Sequence, residues 1–222
     1  MSEKIIFEAV DLTTCPRKKK AFCLEHISFA LPQGYIMGLI GKNGAGKSTF
    51  FRTVMGENSR YTGNLLLEGS TLRGNHVAAM EKIGFVSEDN EFLGARSLIQ
   101  NGELLGSFYN TFDMEGFRQT ISRFGLSCTQ NIHDLSRGEM MKFQLAFAMA
   151  HHPRLYLIDE ATAGMDPVFR MDFYRILRRL LEEENCSVIL STHIREEITK
   201  ELDYVGVLEK GQLTSFGEND WI

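Results

Sequence analysis

Gly41-Lys42-Asn43-Gly44-Ala45-Gly46-Lys47-Ser48 stands between a short apolar run, Tyr35 to Ile40, and a segment of helical character that continues from Thr49 to Met55. The run fits a buried strand and the following segment a helix packed upon it. A glycine-rich turn closing on Lys-Ser in that context has the pattern GxxxxGK(S/T), the phosphate-binding loop. Glycines allow the tight backbone path that turns successive N–H groups inward, and they leave no Cβ in the way of a phosphate oxygen. The helix start adds partial positive charge. Lys47 is then placed to reach the β- and γ-phosphates, and the Ser48 hydroxyl to ligate Mg²⁺. Gly41 to Ser48, with Thr49, is therefore expected to hold a nucleoside triphosphate.

A chain of 222 residues makes one large domain or two small ones, with a substantial core. A net charge of −5 argues against a broad nucleic-acid-binding face, and no nucleic-acid partner is expected. Cys15, Cys23, Cys128 and Cys186 are scattered without metal-ligand spacing and read as reduced thiols. No apolar run approaches the ~18–20 residues that cross a bilayer, and no signal-peptide core is evident. Any membrane role is expected to run through a partner.

Strands are expected over residues 5–12 and 25–31, with Cys15 to Lys20 as the turn between them. The run Arg17-Lys18-Lys19-Lys20 reads as a solvated hairpin tip. Asn64 to Glu68 fits a further strand bounded by Gly63 and Gly69, and a short helix at 77–82 leads to a strand at Ile83 to Ser87. The character then changes. Helical patterns dominate from Ser97 to Ala150, with one helix beginning at Ser97, another over Asp113 to Phe124 and a third over Gly138 to Ala150. Strands return at Leu155 to Ile158 and Ser187 to Leu190, separated by a helix over Pro167 to Glu184 with Asp166 as its N-cap. A helix at 195–201 and strands at 205–208 and 213–216 complete the chain. Alternating strands and helices imply an α/β fold with a mostly parallel sheet and a helical insertion.

Leu155-Tyr156-Leu157-Ile158-Asp159 is an apolar strand ending in a carboxylate. Ligands of parallel sheets bind at the carboxyl ends of the strands, so Asp159 there is placed to hold Mg²⁺. Glu160 follows at once and points elsewhere, where a carboxylate is able to orient and deprotonate an attacking water. From these residues alone, Glu160 reads equally as a surface acid at a strand end.

From Leu135 to His193 the chain resembles the ATP-binding subunit of an ABC transporter. Leu135-Ser136-Arg137-Gly138-Glu139 is similar to the signature LSGGQ and stands at the head of a helix. Ala163-Gly164-Met165-Asp166 resembles the D-loop, His193 sits at the switch-histidine position, and Ile83 to Glu88 resembles the Q-loop with Glu88 at the glutamine. The resemblance implies a P-loop ATPase core with an antiparallel β subdomain and an inserted helical subdomain: core 1–87 and 152–222, helical part about 88–151. It implies ATP and Mg²⁺ as ligands, with Ser48, Asp159 and Glu88 around the metal. Glu160, His193 and Lys47 take the catalytic roles. Ser136, Arg137, Gly138, Glu139 and Asp166 contact a nucleotide held by a second ATPase domain, because one chain's signature lies too far from its own phosphate loop.

The sequence departs from the family pattern in several places. Arg137 replaces a signature glycine, either adding a phosphate contact or lying in solvent, and Glu139 replaces the glutamine. Glu88 keeps an oxygen for the metal but adds charge. Ala161 replaces a proline and loosens the turn. Adenine-stacking aromatics are absent from Cys15 to Lys20; Phe22 is nearest and reads as a core residue.

The resemblance implies an ATPase that powers a separate membrane-spanning subunit and pairs with an identical or related ATPase, peripheral on the cytoplasmic face of the membrane. It is most similar to the separate ATPase subunits of bacterial drug and peptide exporters, so export is the expected direction. Asn90-Glu91-Phe92-Leu93-Gly94 is expected to form part of the groove for the membrane subunit. A non-transport ABC ATPase, such as one for iron-sulfur assembly, is the alternative.

Overall fold

The computed structural model describes residues 3–14, 22–58, 60–74, 76–87, 89, 92–160, 167–193 and 195–219; the side chains of 167 and 195–197 also lie outside that description. Two sheets organise these residues. The larger one contains β3 (Ile36–Ile40), β6 (Ile83–Ser87), β7 (Leu155–Asp159), β8 (Ser187–Thr192), β9 (Tyr204–Glu209) and β10 (Gln212–Glu218) in the order β10-β9-β3-β8-β7-β6. Its pairings are parallel except that of β9 with β10. The smaller is antiparallel, with β1 (Ile5–Thr14), β2 (Ile27–Pro32), β4 (Tyr61–Leu67) and β5 (Ser70–Thr71) in the order β2-β1-β4-β5.

Strands β3, β7 and β8 of the parallel sheet are almost wholly buried and mainly apolar because both faces are covered, with the polar residues of β7 and β8 concentrated at their ends. Alternation then divides the core in two. Leu155, Leu157, Ile189 and Ile83 face the antiparallel sheet and helix α1 (Lys47–Val54), where Phe7, Phe29 and Phe50 pack with ring centroids 5.6–6.2 Å apart. Tyr156, Ile158, Val188 and Leu190 face the opposite side, against α5 (Arg137–Met149) and α6 (Pro167–Glu184). Each fully buried phenylalanine is worth about 1.5–3 kcal/mol.

Between β6 and β7 the described chain is helical: α3 (Leu98–Gly106), α4 (Met114–Arg123), a short 3-10 turn at Ile132–Asp134, and α5. Each of these α-helices begins at a side-chain cap written in the sequence. Ser97 and Ser136 form capping boxes with Gln100 and Glu139, and Asp113 accepts from the N–H groups of Glu115 and Gly116. Two short helices, α2 (His76–Met80) and α7 (Arg195–Lys200), precede β6 and β9.

The expected strands and helices are found with ends shifted by a few residues, and one strand, β5, is unexpected. Strands β1 and β4 run longer than their apolar runs, since Thr13 and Thr14 pair with Thr62 and Tyr61. The Thr13 and Thr14 hydroxyls also accept from the N–H groups of His26 and Leu24. Strand β5 has two exposed residues and no hydrophobic signal. The expected N-cap Asp166 lies outside the described residues, as does the turn Cys15 to Lys20.

Candidate nucleotide-binding site

Strand β3 ends at Ile40 and α1 begins at Lys47, with Gly46 as its N-cap at φ 117° and ψ 6°. Only glycine takes that conformation readily. A Cβ on Gly46 would also lie 2.7 Å from Leu24 Cδ2 and 2.8 Å from Phe22 Cζ. Because glycine supplies no side-chain cap, the first-turn amides of α1 are left for a ligand. Lys47 Nζ turns back over the loop and donates to the Gly41 carbonyl at 2.9 Å. The resulting cleft, about 430 Å³, is lined by Phe22, Asn43, Gly44, the run Gly46 to Thr49 and Glu160.

The opposite wall comes from β7. Lys47 Nζ lies 3.3 Å from Glu160 Oε1, with the lysine side chain 4% exposed and the glutamate 31%. Glu160 has φ 51°, a left-handed conformation uncommon for a residue with a side chain. Its N–H donates to Ser191 Oγ at 2.7 Å, and that hydroxyl donates to Asp159 Oδ1 at 2.7 Å. One serine on β8 thus fixes both the carboxylate at the end of β7 and the turn that aims the next one. Register aligns the ends: Ile40 with Thr192, and Ser87 with Asp159. His193 follows Thr192 directly and is exposed. Lysine, strand-end carboxylates and histidine therefore emerge at one edge of the sheet, where phosphate chemistry is placed in this class of fold. Ser48 and Asp159 offer hard oxygen donors, the set that suits Mg²⁺.

Ser136 to Glu139 are not among the described residues that line this cleft. At the head of α5, Glu139 Oε2 accepts from the Ser136 N–H at 2.9 Å and from the Ser136 hydroxyl at 2.7 Å, while Ser136 Oγ accepts from the Glu139 N–H at 3.3 Å. The Ser136 hydroxyl and backbone hold the Glu139 carboxyl below its ordinary value. Gly138 has open space where a Cβ would stand.

Residues 24–163 match the ABC transporter family. This chain belongs to that family. It is 31% identical over 206 residues to the methionine import ATP-binding protein MetN of Protochlamydia amoebophila, covering 89% of this chain and 60% of that one. To the bacitracin transport ATP-binding protein BcrA of Bacillus licheniformis it is 28% identical over 217 residues, covering 94% and 68%. A dimeric ATP-binding cassette in a post-hydrolysis state, bound to ADP and Pi, has the same fold, with TM-score 0.84, 18% identity and coverage of 96% and 98%. The chain thus spans about 60% of the length of the methionine-import relative.

Within this ABC domain, Asn43, Gly44, Gly46 to Thr49 and Glu160 line the cleft, with the Gly41 carbonyl bonded to Lys47. Asp159 is tied to Glu160 through Ser191, His193 follows the neighbouring strand end, and Ser136, Arg137, Gly138 and Glu139 stand apart at the head of α5. Glu88, Asp166, Ala161 and the stretch Ala163 to Met165 lie outside the described residues, as do Asn90 and Glu91. Phe22 corrects the sequence reading. It is 44% exposed and lines the cleft against Gly46, because Leu24 and not Phe22 fills the core position there. Sequence reasoning missed Ser191. The available signal was a serine closing the apolar run Val188 to Leu190, one residue before the end of β8.

Proposed function

We propose that this chain binds and hydrolyses ATP to drive transport by a separate membrane-spanning subunit, with each nucleotide enclosed between two ATPase domains. The observation that carries the reading is the Lys47–Glu160 pair across the mouth of the phosphate loop. An arriving γ-phosphate competes for the Lys47 ammonium and releases the Glu160 carboxylate. Glu160 then takes a proton from the attacking water as its oxygen bonds to the γ-phosphorus. The bond from that phosphorus to the bridging oxygen breaks, leaving ADP and phosphate. Mg²⁺, when held by Ser48 and Asp159 with Glu88, supplies neutralisation of the triphosphate charge. His193, at the end of β8, is in our reading the hydrogen-bonding sensor of the γ-phosphate.

The head of α5 is assigned to the partner's nucleotide, with Ser136 and the amides beside Gly138 as donors and Arg137, Glu139 and Asp166 around them. Of the two partners the sequence leaves open, an identical or a related ATPase, a second copy of this chain is the one proposed. The division into a core, 1–87 and 152–222, and a helical subdomain of about 88–151 follows from the same reading. Among the described residues no helix is long and apolar enough to cross a membrane. Transport therefore requires spans from elsewhere, and we place this domain on the cytoplasmic face beside them.

Support for the docking face comes from two adjoining grooves of about 570 and 490 Å³, which share Phe92, Tyr109 and Phe147. Val77 and Phe108 line one of them and are 79% and 75% exposed. An apolar face of this kind marks an interaction surface. Its occupant in this proposal is a short amphipathic helix of the membrane subunit. Export is the favoured direction in our reading, on the resemblance of the signature and Q-loop stretches to exporter ATPases; of the relatives, one is named for methionine import and one for bacitracin transport.

Affinity capture from detergent-solubilised membranes tests the proposal. The expected result is a multi-span protein that co-purifies with the parent chain, stimulates its ATP hydrolysis and is lost with Phe108→Asp. Recovery of soluble scaffold proteins alone contradicts it.

A further inference from the structure

Strand β6 is an outer strand of the six-stranded sheet, so one of its edges lacks a neighbouring strand. At its last residue a side chain stands in for that strand. Ser87 N–H donates to Gln144 Oε1 at 3.0 Å, and Gln144 Nε2 donates to the Ser87 carbonyl at 2.8 Å. Both residues are buried, at 3% exposure for Gln144 and 5% for Ser87. One turn further along α5, Ala148 continues the contact. A Cβ on Gly84 would come within 3.1 Å of Ala148 Cβ and 2.9 Å of Pro153 Cγ, so the glycine is what lets the helix lie against the strand.

Three features make this clamp more than a support. Gln144 belongs to the helix that begins at Ser136. Ser87 pairs across the sheet with Asp159, one residue before Glu160. Ser87, Gln144 and Asp159 all line the larger docking groove, together with Phe92 and Tyr109. The groove wall, the strand end carrying the carboxylates and the helix carrying the signature thus converge on one buried amide.

The geometry points to Gln144 as a positioning residue that sets the angle of α5, and so the alignment of Ser136 over the partner's triphosphate. The inference rests on the reading of two domains enclosing ATP. Loosening α5 from β6 spreads Ser136 over many orientations, and that spread must be narrowed again each time two domains close. The phosphate loop lies on the other side of β7 and β8 and does not share the clamp.

The test uses the full chain with Glu160→Gln, alone and combined with Gln144→Ala or Gln144→Glu. The glutamate variant keeps an acceptor for Ser87 N–H but sets a carboxylate against the Ser87 carbonyl. Binding of a fluorescent ATP analogue to the dilute single chain is expected to stay within about twofold of the parent. The dissociation constant of ATP-driven pairing is expected to rise about tenfold or more in both variants, the effect of losing a net buried hydrogen bond. A pairing constant within about twofold of the parent overturns the inference. So does a parallel loss of nucleotide binding in both variants, which would make the amide a plain support of the fold. If the Glu160→Gln parent itself fails to pair, the reading of two enclosing domains falls first and the inference with it.

Discussion

Lys47 and Glu160 face each other at 3.3 Å, one from the first residue of α1 and the other from the residue after β7. In the proposed function, the cation that is to grip phosphate and the carboxylate that is to activate water neutralise one another before nucleotide arrives. On that proposal binding and chemistry are tied to one contact, since a triphosphate has to divide the pair. This contact shapes the first two predictions.

Lys47→Ala removes a charge-assisted contact and leaves the Glu160 carboxylate turned toward incoming phosphate. ATP affinity measured by calorimetry is expected to fall about 10–100-fold. In the Lys47→Ala, Glu160→Gln double variant part of that loss is expected to return, because the like charge is gone. A double variant as weak as Lys47→Ala would show that Glu160 does not oppose the phosphate.

Glu160→Gln keeps the side chain's shape while removing its basicity. Hydrolysis at saturating ATP is expected to slow by about 100-fold or more, with affinity for ATP retained or improved. Steady-state phosphate release together with equilibrium binding checks both arms. Turnover at the parental rate would remove Glu160 from the role of base.

On the proposed pairing, Glu139 places a negative charge beside a partner's phosphates, although Ser136 holds that charge in a capping box. A glutamine completes the same box without charge. For Glu139→Gln, ATP-driven association is expected to strengthen about 3–10-fold at low salt, with a smaller gain at high salt. Sedimentation at two ionic strengths measures this. An unchanged association constant at low salt would mean that Glu139 faces no phosphate.

His151 supplies the pH prediction. It is 2% exposed, stacks on Tyr109 with ring centroids 4.1 Å apart and donates through Nδ1 to the Glu81 carbonyl. Burial drives its pKa down to about 4, against that hydrogen bond and aided by neighbouring His152. The unfolded chain takes up the proton first on acidification, near the ordinary value of 6.5. Stability from the neutral ring is therefore full above pH 6.5 and is lost as pH falls toward 4, by about 3 kcal/mol. Denaturant titrations across that window are expected to fall more steeply for the parent chain than for His151→Gln. Equal slopes would refute the assignment.

Local signals made the framework legible. The phosphate loop, the apolar run of β7 and the helix starts at Ser97 and Asp113 each act within a few residues, so the chain displays them before folding. Contacts between distant segments were not legible. Ser191 reaches Asp159 and Glu160 across 32 and 31 positions, and Gln144 reaches Ser87 across 57. Phe22 misled for the same reason. Which of Phe22 and Leu24 turns inward depends on where Gly46 comes to rest, and the N-terminal segment does not carry that information.

Sedimentation velocity on the Glu160→Gln chain, with and without ATP and Mg²⁺, tests the central claim most directly. The account predicts a single-chain species without nucleotide and a two-chain species with ATP, abolished by Ser136→Arg. A chain that binds ATP at the phosphate loop and still sediments alone at every protein concentration would contradict it.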